Sequence, residues 1–203
     1  MKLYYSPGAC SLSDHIVLEW IGAPYEAVRV SREQRQTPEF RKLNPAGAVP
    51  VFEQDGWVLT QNAAILNYLA DRFPQAKLGG DGTPKGRAEV NRWLAFVNAD
   101  VHPAFKPLFG STAYLEDPKL IEKSKDNARA NVRGLLERAD AQLAAHDWIA
   151  GSRSIADPYL FVVLRWAAGQ NVNLAGLDNL ARFVARMEAD PAVQNVLREE
   201  SAR

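Results

Sequence analysis

The chain has 203 residues, 47% hydrophobic and 24% charged, a balance that suits a folded protein with a buried core. Its 24 Lys and Arg offset its 24 Asp and Glu, so no net charge draws it toward nucleic acid or an anionic membrane, and any ligand must be captured by a local site. A single cysteine excludes an intramolecular disulfide, and no apolar run approaches the roughly 20 residues of a membrane helix, so a cytoplasmic protein is expected.

Leu3-Tyr4-Tyr5 reads as a short strand ended by Pro7-Gly8. Ser11 to Ile21 carries apolar residues at Leu12, Ile16, Val17, Trp20 and Ile21, the spacing of an amphipathic helix, with Gly22 as its stop. Tyr25 to Val30 alternates like a second strand. Thr37-Pro38-Glu39-Phe40 starts a short helix with Pro38 at its first position. Val49 to Phe52 and Trp57 to Leu59 predict two strands joined by a hairpin turn at Gln54-Asp55-Gly56. Thr60 is placed to cap a helix whose apolar face is Ile65, Leu66, Leu69 and Phe73. This order of elements yields a small mixed sheet packed with helices.

Lys77 to Lys85 is rich in Gly, Asp, Thr and Pro and reads as a linker. Everything after it is predicted helical. One apolar stripe runs through Val90, Trp93, Val97, Val101 and Phe105, and a second through Ile121, Ser124, Ala128, Val132, Leu135 and Ala139. Ala156, Leu160, Val163 and Ala167 make a third; Leu180, Val184 and Met187 make a fourth. The chain thus divides into an α/β domain over 1–78 and an all-helical domain over 86–203, with a ligand cleft expected between them.

Cys10 directly precedes the first helix. Unpaired N–H groups and a partial positive charge at a helix start favour a thiolate there, although a lone cysteine is also often a small buried hydrophobe. Ser11 can donate a hydrogen bond to such a thiolate or serve as a helix cap. In Asn44-Pro45-Ala46-Gly47-Ala48-Val49-Pro50, a cis Val49-Pro50 bond turns the Val49 backbone outward to pair with an extended peptide, whereas a trans bond makes a simple turn. Gln61 and Asn62 fall in a first helical turn, whose N–H groups suit a carboxylate and whose amide side chains both donate and accept. Asn98, His102 and Lys106, four apart, share a face distinct from the apolar stripe, and Pro103 is expected to kink the helix beside His102. His15 and His146 have no partner pattern and read as structural or surface. One Cys and three scattered His make no metal ligand set. No dinucleotide fingerprint or phosphate-binding loop is present, and basic residues are not clustered with aromatics.

In order and spacing, five segments resemble the glutathione transferases, and within them the bacterial beta class. They are Tyr5-Ser6-Pro7-Gly8-Ala9-Cys10-Ser11, the Asn44 to Pro50 run, Leu59-Thr60-Gln61-Asn62-Ala63-Ala64-Ile65, Val101-His102-Pro103-Ala104-Phe105, and Ser154-Ile155-Ala156-Asp157-Pro158-Tyr159-Leu160. The resemblance implies a thioredoxin-like N-terminal domain, an all-α C-terminal domain and a homodimer. It implies a cis Val49-Pro50 bond, Val49 paired with the cysteinyl backbone of glutathione, the γ-glutamyl end at Gln61 and Asn62, and Cys10 and His102 near the sulfur. The glycyl carboxylate falls to a residue within Arg32 to Gln36. Ser154 and Asp157 look like the family's capping box, Ser154 capping the third residue's N–H while Asp157 reaches back. Two departures stand out. Many relatives carry Glu or Gln followed by Ser or Gly where this chain has Gln61-Asn62. A Lys often follows the active-site His where this chain has Pro103, so Lys106 is the candidate to take its place.

The expected function is a cytoplasmic glutathione transferase of the detoxification type. Cys10, Ser11 and His102 stabilise the thiolate of glutathione, which attacks a small apolar electrophile held against Phe105, Phe109 and Trp166. Glutathione is the co-substrate, and no metal, nucleic acid or membrane partner is expected. Two rivals are a glutathione-dependent thiol-disulfide reductase working through a mixed disulfide on Cys10, and a protein on this scaffold that binds glutathione or apolar ligands without turnover.

Overall fold

Four short strands form one mixed sheet in the order β2-β1-β3-β4 in the computed structural model, which describes residues 1–202. They are β1 (Lys2–Tyr5), β2 (Glu26–Arg29), β3 (Val51–Gln54) and β4 (Trp57–Thr60). β1 runs parallel to β2 and antiparallel to β3, in register Leu3 to Ala27 and Leu3 to Phe52. The hairpin turn places Asp55 and Gly56 at φ 52° and 81°, the left-handed pair that a tight turn between twisted strands requires. β3 starts two residues later than the sequence pattern suggests, because Val49 and Pro50 stand outside the ladder; their peptide bond is cis.

Helix α1 (Ser11–Ile21) ends at Gly22 in the left-handed conformation, as the Gly predicts. Its burial differs from the expected amphipathic pattern. Ser11 to Leu18 are all buried, because α1 is covered by the sheet and by α3 (Asn62–Arg72), α7 (Ala156–Gly169) and α9 (Pro191–Ser201). Polar Ser13, Asp14 and His15 are therefore interior groups that need partners. α2 (Pro38–Leu43) is capped by Thr37, which accepts from the Phe40 N–H. The expected Thr60 cap is not formed. Thr60 closes β4, and Gln61 occupies the cap position at φ 76° with no side-chain cap bond.

After the linker, α4 (Pro84–Ala95) widens into a π-helical stretch over Phe96–Val101 and ends in one turn, α5 (His102–Ala104). Pro103 lacks an N–H and crowds the preceding turn, so the distortion falls just before it. The helix does not reach Lys106, which lies in the following turn. α6 (Pro118–Leu143) buries Ala128, Val132, Leu136 and Ala139, with Leu136 taking the core position expected of Leu135. α8 (Asp178–Ala189) buries Leu180, Phe183 and Met187. α9, which no sequence stripe singled out, is capped by Asp190. At the start of α7, Asp157 accepts from the Ser154 N–H (2.7 Å), the Ser154 hydroxyl (2.9 Å) and the Ile149 N–H (2.8 Å). The reach-back half of the capping box is thus present, but Ser154 Oγ accepts from the Ala156 N–H (3.3 Å) in place of the Asp157 N–H. One apolar core runs from Leu3 in β1 to Val196 in α9 and joins the sheet to the helices. No described helix is long and apolar enough to cross a membrane.

Candidate active site

A cavity of about 300 Å³ opens between the sheet side and the helical side of the molecule. Cys10, Val49, Pro50, Gln61, Asn62, His102 and Lys106 all line it, with Asn44, Asn98 and Tyr159. Larger hollows elsewhere lack this convergence of thiol, imidazole and ammonium groups.

Cys10 occupies the cap position of α1 and its Sγ–H donates to the Val49 carbonyl at 3.7 Å. The expected thiolate at a helix start is not the resting form here. Burial, and then the Asp14 carboxyl, push the thiol pKa up to about 12, outweighing the backbone N–H groups and Arg35, which pull it down. Ser11 does not line the cavity: it is fully buried, and its Oγ is bonded to Ser6 N–H (3.2 Å) and Ser6 carbonyl (3.3 Å). The turn before Cys10 is gripped from the helical side, with Gly8 N–H donating to Glu200 Oε2 (2.9 Å) and Gly8 carbonyl accepting from Trp166 Nε1–H (2.7 Å). Gly8 stands at φ 69°, a conformation that favours glycine.

On the sheet side the cavity wall is mainly backbone. The Val49 N–H makes no hydrogen bond within the described chain, and its carbonyl receives only the Cys10 thiol. The loop behind it is held by Asn44, whose Nδ2 donates to the Ala48 carbonyl (2.7 Å), and by Gly47 at φ 61°, packed against the Arg35 carbonyl. Gln61 is exposed. Asn62 is 6% exposed and its side chain turns into the protein, away from the expected ligand role. With its amide nitrogen facing the surrounding acceptors, it donates to Asp14 Oδ2 (2.6 Å) and the Cys10 carbonyl (3.2 Å) and accepts from Ser13 Oγ (3.0 Å). What α3 offers the cavity is its first-turn N–H groups.

On the helical side the wall is side chains. His102 Nδ1 and Tyr159 Oη are 2.6 Å apart, and Tyr159 Oη donates to Asn98 Oδ1 at 3.3 Å. That direction makes His102 Nδ1 the donor to Tyr159 and leaves the lone pair on Nε2. Burial and the Lys106 charge lower the His102 pKa, so the ring is neutral at pH 7. Trp166 packs edge-on to His102 (4.7 Å) and Phe109 (5.3 Å). Phe109 is 52% exposed, whereas Phe105 is fully buried behind it, a core residue that presents no surface. His15 is interior, with Nδ1 3.1 Å from Glu200; His146 is at the surface.

Sequence reasoning passed over Tyr159, Asp14 and Glu200, and left Arg35 undistinguished within the 32–36 segment. Tyr159 sits inside a quoted motif, but nothing local shows that it meets a residue 57 positions away. Among the described residues, no group of three or more His, Cys, Asp and Glu is placed to hold a metal ion.

Comparison with known proteins bears on both halves of this cavity. Residues 1–71 match the family model "Glutathione S-transferase, N-terminal domain", and residues 88–191 match "Glutathione S-transferase, C-terminal domain". The chain is 56% identical over 201 residues to glutathione S-transferase GST-4.5 of Xanthomonas campestris, covering 98% of each chain. It superposes on a glutathione S-transferase from Xylella fastidiosa with a TM-score of 0.97 at 52% identity, covering 100% of this chain and 99% of that one. A sphingomonad glutathione S-transferase complexed with glutathione matches with a TM-score of 0.88 at 37% identity over the whole of both chains.

Proposed function

The chain belongs to the glutathione S-transferase family, with its thioredoxin-like and all-α architecture, and on that premise we propose that this cavity binds glutathione extended and adds its sulfur to a small apolar electrophile. The observation that carries the reading is a backbone edge at Val49 with its N–H free, facing a neutral His102 whose tautomer Tyr159 sets. The cysteinyl unit of glutathione pairs with the Val49 N–H and carbonyl, displacing the Cys10 S–H. The γ-glutamyl carboxylate sits at the first-turn N–H groups of α3 beside Gln61 and Asn62, where the helix start favours an anion. Arg35, whose buried Nε has no partner and whose charge reaches Cys10, is the residue of the 32–36 segment we assign to the glycyl carboxylate.

The glutathione thiol then lies among Cys10, His102 and Lys106. His102 Nε2 accepts its proton, and the Lys106 ammonium stabilises the thiolate. The sulfur lone pair forms the new C–S bond, the leaving group departs with its bonding pair, and the proton on His102 passes to solvent. Phe109 and Trp166 form the apolar wall for the electrophile, with Phe105 supporting them from the core. The domain limits 1–78 and 86–203 follow the same reading, as do a cytoplasmic homodimer and a role in detoxification, all supported by the family resemblance.

The thiol-disulfide reductase alternative needs Cys10 as a thiolate, and the raised thiol pKa favours conjugation. The test is calorimetric titration with glutathione together with turnover of chlorodinitrobenzene. Micromolar-to-millimolar binding with saturable conjugation is expected. Binding without turnover of this or any disulfide would leave a binding protein, and no binding would sink the glutathione reading.

A further inference from the structure

Asn98 lines the cavity one turn before His102, yet displacement of a leaving group gives it no task. Its orientation follows from its neighbours. Tyr159 Oη carries a single proton, which goes to Asn98 Oδ1 at 3.3 Å, while the same oxygen faces His102 Nδ1 at 2.6 Å. With the Asn98 oxygen turned to Tyr159, its amide nitrogen points the other way. Tyr159 is buried, whereas Asn98 is exposed and its Nδ2 makes no hydrogen bond to the described residues. Asn98 in the π-helical stretch, His102 after it and Tyr159 on α7 therefore form one oriented chain. One end is an acceptor, His102 Nε2. The other is a pair of donors, Asn98 Nδ2, and both residues line the same cavity.

We propose that Asn98 is the donor that receives an oxygen of the electrophile, and that the preferred electrophiles are α,β-unsaturated carbonyl compounds with an apolar body. The inference rests on the glutathione reading and names the substrate class of that site. Such a substrate gathers negative charge on its carbonyl oxygen as the bond to sulfur forms, and a base and a donor held in one fixed chain match the two ends of that change. His102 Nε2 takes the proton of the glutathione thiol. The sulfur lone pair forms a C–S bond at the β carbon, the double-bond pair shifts toward the carbonyl, and Asn98 Nδ2–H holds the enolate oxygen. The proton on His102 Nε2 then passes to the α carbon and the enolate collapses to the carbonyl, so the product contains both reactants whole and nothing is expelled. The lowered His102 pKa favours that return, because an imidazolium that burial and Lys106 disfavour gives up its proton readily. Protonation of Nε2 leaves Nδ1–H on Tyr159, so the chain keeps its direction throughout. The Tyr159 hydroxyl is spent on its two neighbours and Lys106 stays with the sulfur, which leaves Asn98 as the helical-wall donor for the electrophile. Trp166, edge-on to His102 at 4.7 Å, gives the apolar body its place beside the base.

The test compares two substrates that share a phenyl body: benzylideneacetone, which passes through an enolate, and benzyl chloride, which gathers no charge on oxygen. In Asn98→Ala, kcat/KM for the ketone should fall about tenfold, while benzyl chloride stays within about threefold and the KM for glutathione within about twofold. Asn98→Asp still accepts from Tyr159 but offers no donor, so its ratio of ketone to chloride turnover should fall at least as far as in Asn98→Ala. Asn98 is exposed, so neither substitution opens a cavity in the core. Equal losses on the two substrates, no loss on the ketone, or a native ratio in Asn98→Asp overturn the proposal. A glutathione KM raised about tenfold with both substrates affected alike also overturns it, and assigns the Asn98 donor to glutathione. Native protein that turns over benzyl chloride but not the ketone overturns the substrate class and leaves the glutathione reading intact. Native protein that binds no glutathione in calorimetry fails that reading, and this inference with it.

Discussion

The two walls of the cavity are built from different materials. The sheet-side wall offers main-chain groups: the Val49 N–H and carbonyl, and the first-turn N–H groups of α3, with the Asn62 side chain turned away. The helical wall offers side chains: His102, Tyr159, Asn98 and Lys106. A main-chain edge recognises a peptide backbone whatever residues carry it, provided the loop keeps its shape. A side-chain wall depends on each group's identity and charge, so chemistry is tuned there. The lesson is that substitutions should divide by wall, those on the helical side changing turnover and those on the sheet side acting through loop geometry.

The sharpest way to break this division is His102→Ala. If His102 is the proton acceptor, kcat for conjugation falls about 100-fold while glutathione affinity in calorimetry changes little. A fall in affinity with kcat preserved would place His102 in binding. Gly47→Ala probes the opposite wall through its loop, where Gly47 packs against the main chain of Arg35. A Cβ there meets the Arg35 carbonyl at 2.9 Å, on a backbone with φ 61°. The expected cost is about 1–2 kcal/mol of stability and a raised KM for glutathione, read by thermal melting and steady-state kinetics. A variant with native KM would show that the loop's shape does not set recognition.

Lys106→Met sharpens the electrostatics of the helical wall. Lys106 helps to hold the His102 pKa below its ordinary value, so its removal lets that pKa rise. His102 then becomes protonated at a higher pH, and the acid limb of the kcat/KM profile should move up by a fraction of a pH unit. An unmoved limb would mean that burial alone sets the imidazole. The smallest effect is expected for Gln61→Ala. The side chain is exposed and makes no cap bond, so KM should stay within about twofold, near the noise of surface substitutions. A tenfold rise would show that the Gln61 side chain itself takes part in recognition on the sheet side.

Much of the site was legible from local pattern. Cys10 before a helix, Val49 before Pro50, Gln61 at a helix start and His102 beside Pro103 all line the same cavity. Ser11 and Phe105 did not follow. A serine at a helix start has several backbone partners within reach, and which it takes depends on the turn at Ser6. Phe105 lies on the apolar stripe, and that stripe became core. Pro103 signalled a distortion, but the π-helical stretch over Phe96–Val101 depends on how the whole helix packs.

The sequence by itself determined what short-range physics controls. The limits of α1 follow from its periodicity and Gly22, the hairpin from Asp55-Gly56, and the start of α2 from Thr37 and Pro38. The tertiary structure alone decided the state of the sulfur site. Glu200 grips Gly8 across 192 positions of sequence, Asn62 reaches Ser13 across 49, and Tyr159 reaches His102 across 57. Burial and facing charge are properties of a folded neighbourhood. A helix start favours a thiolate in water, but closing α3 and α7 over α1 removes that water, which reverses the outcome.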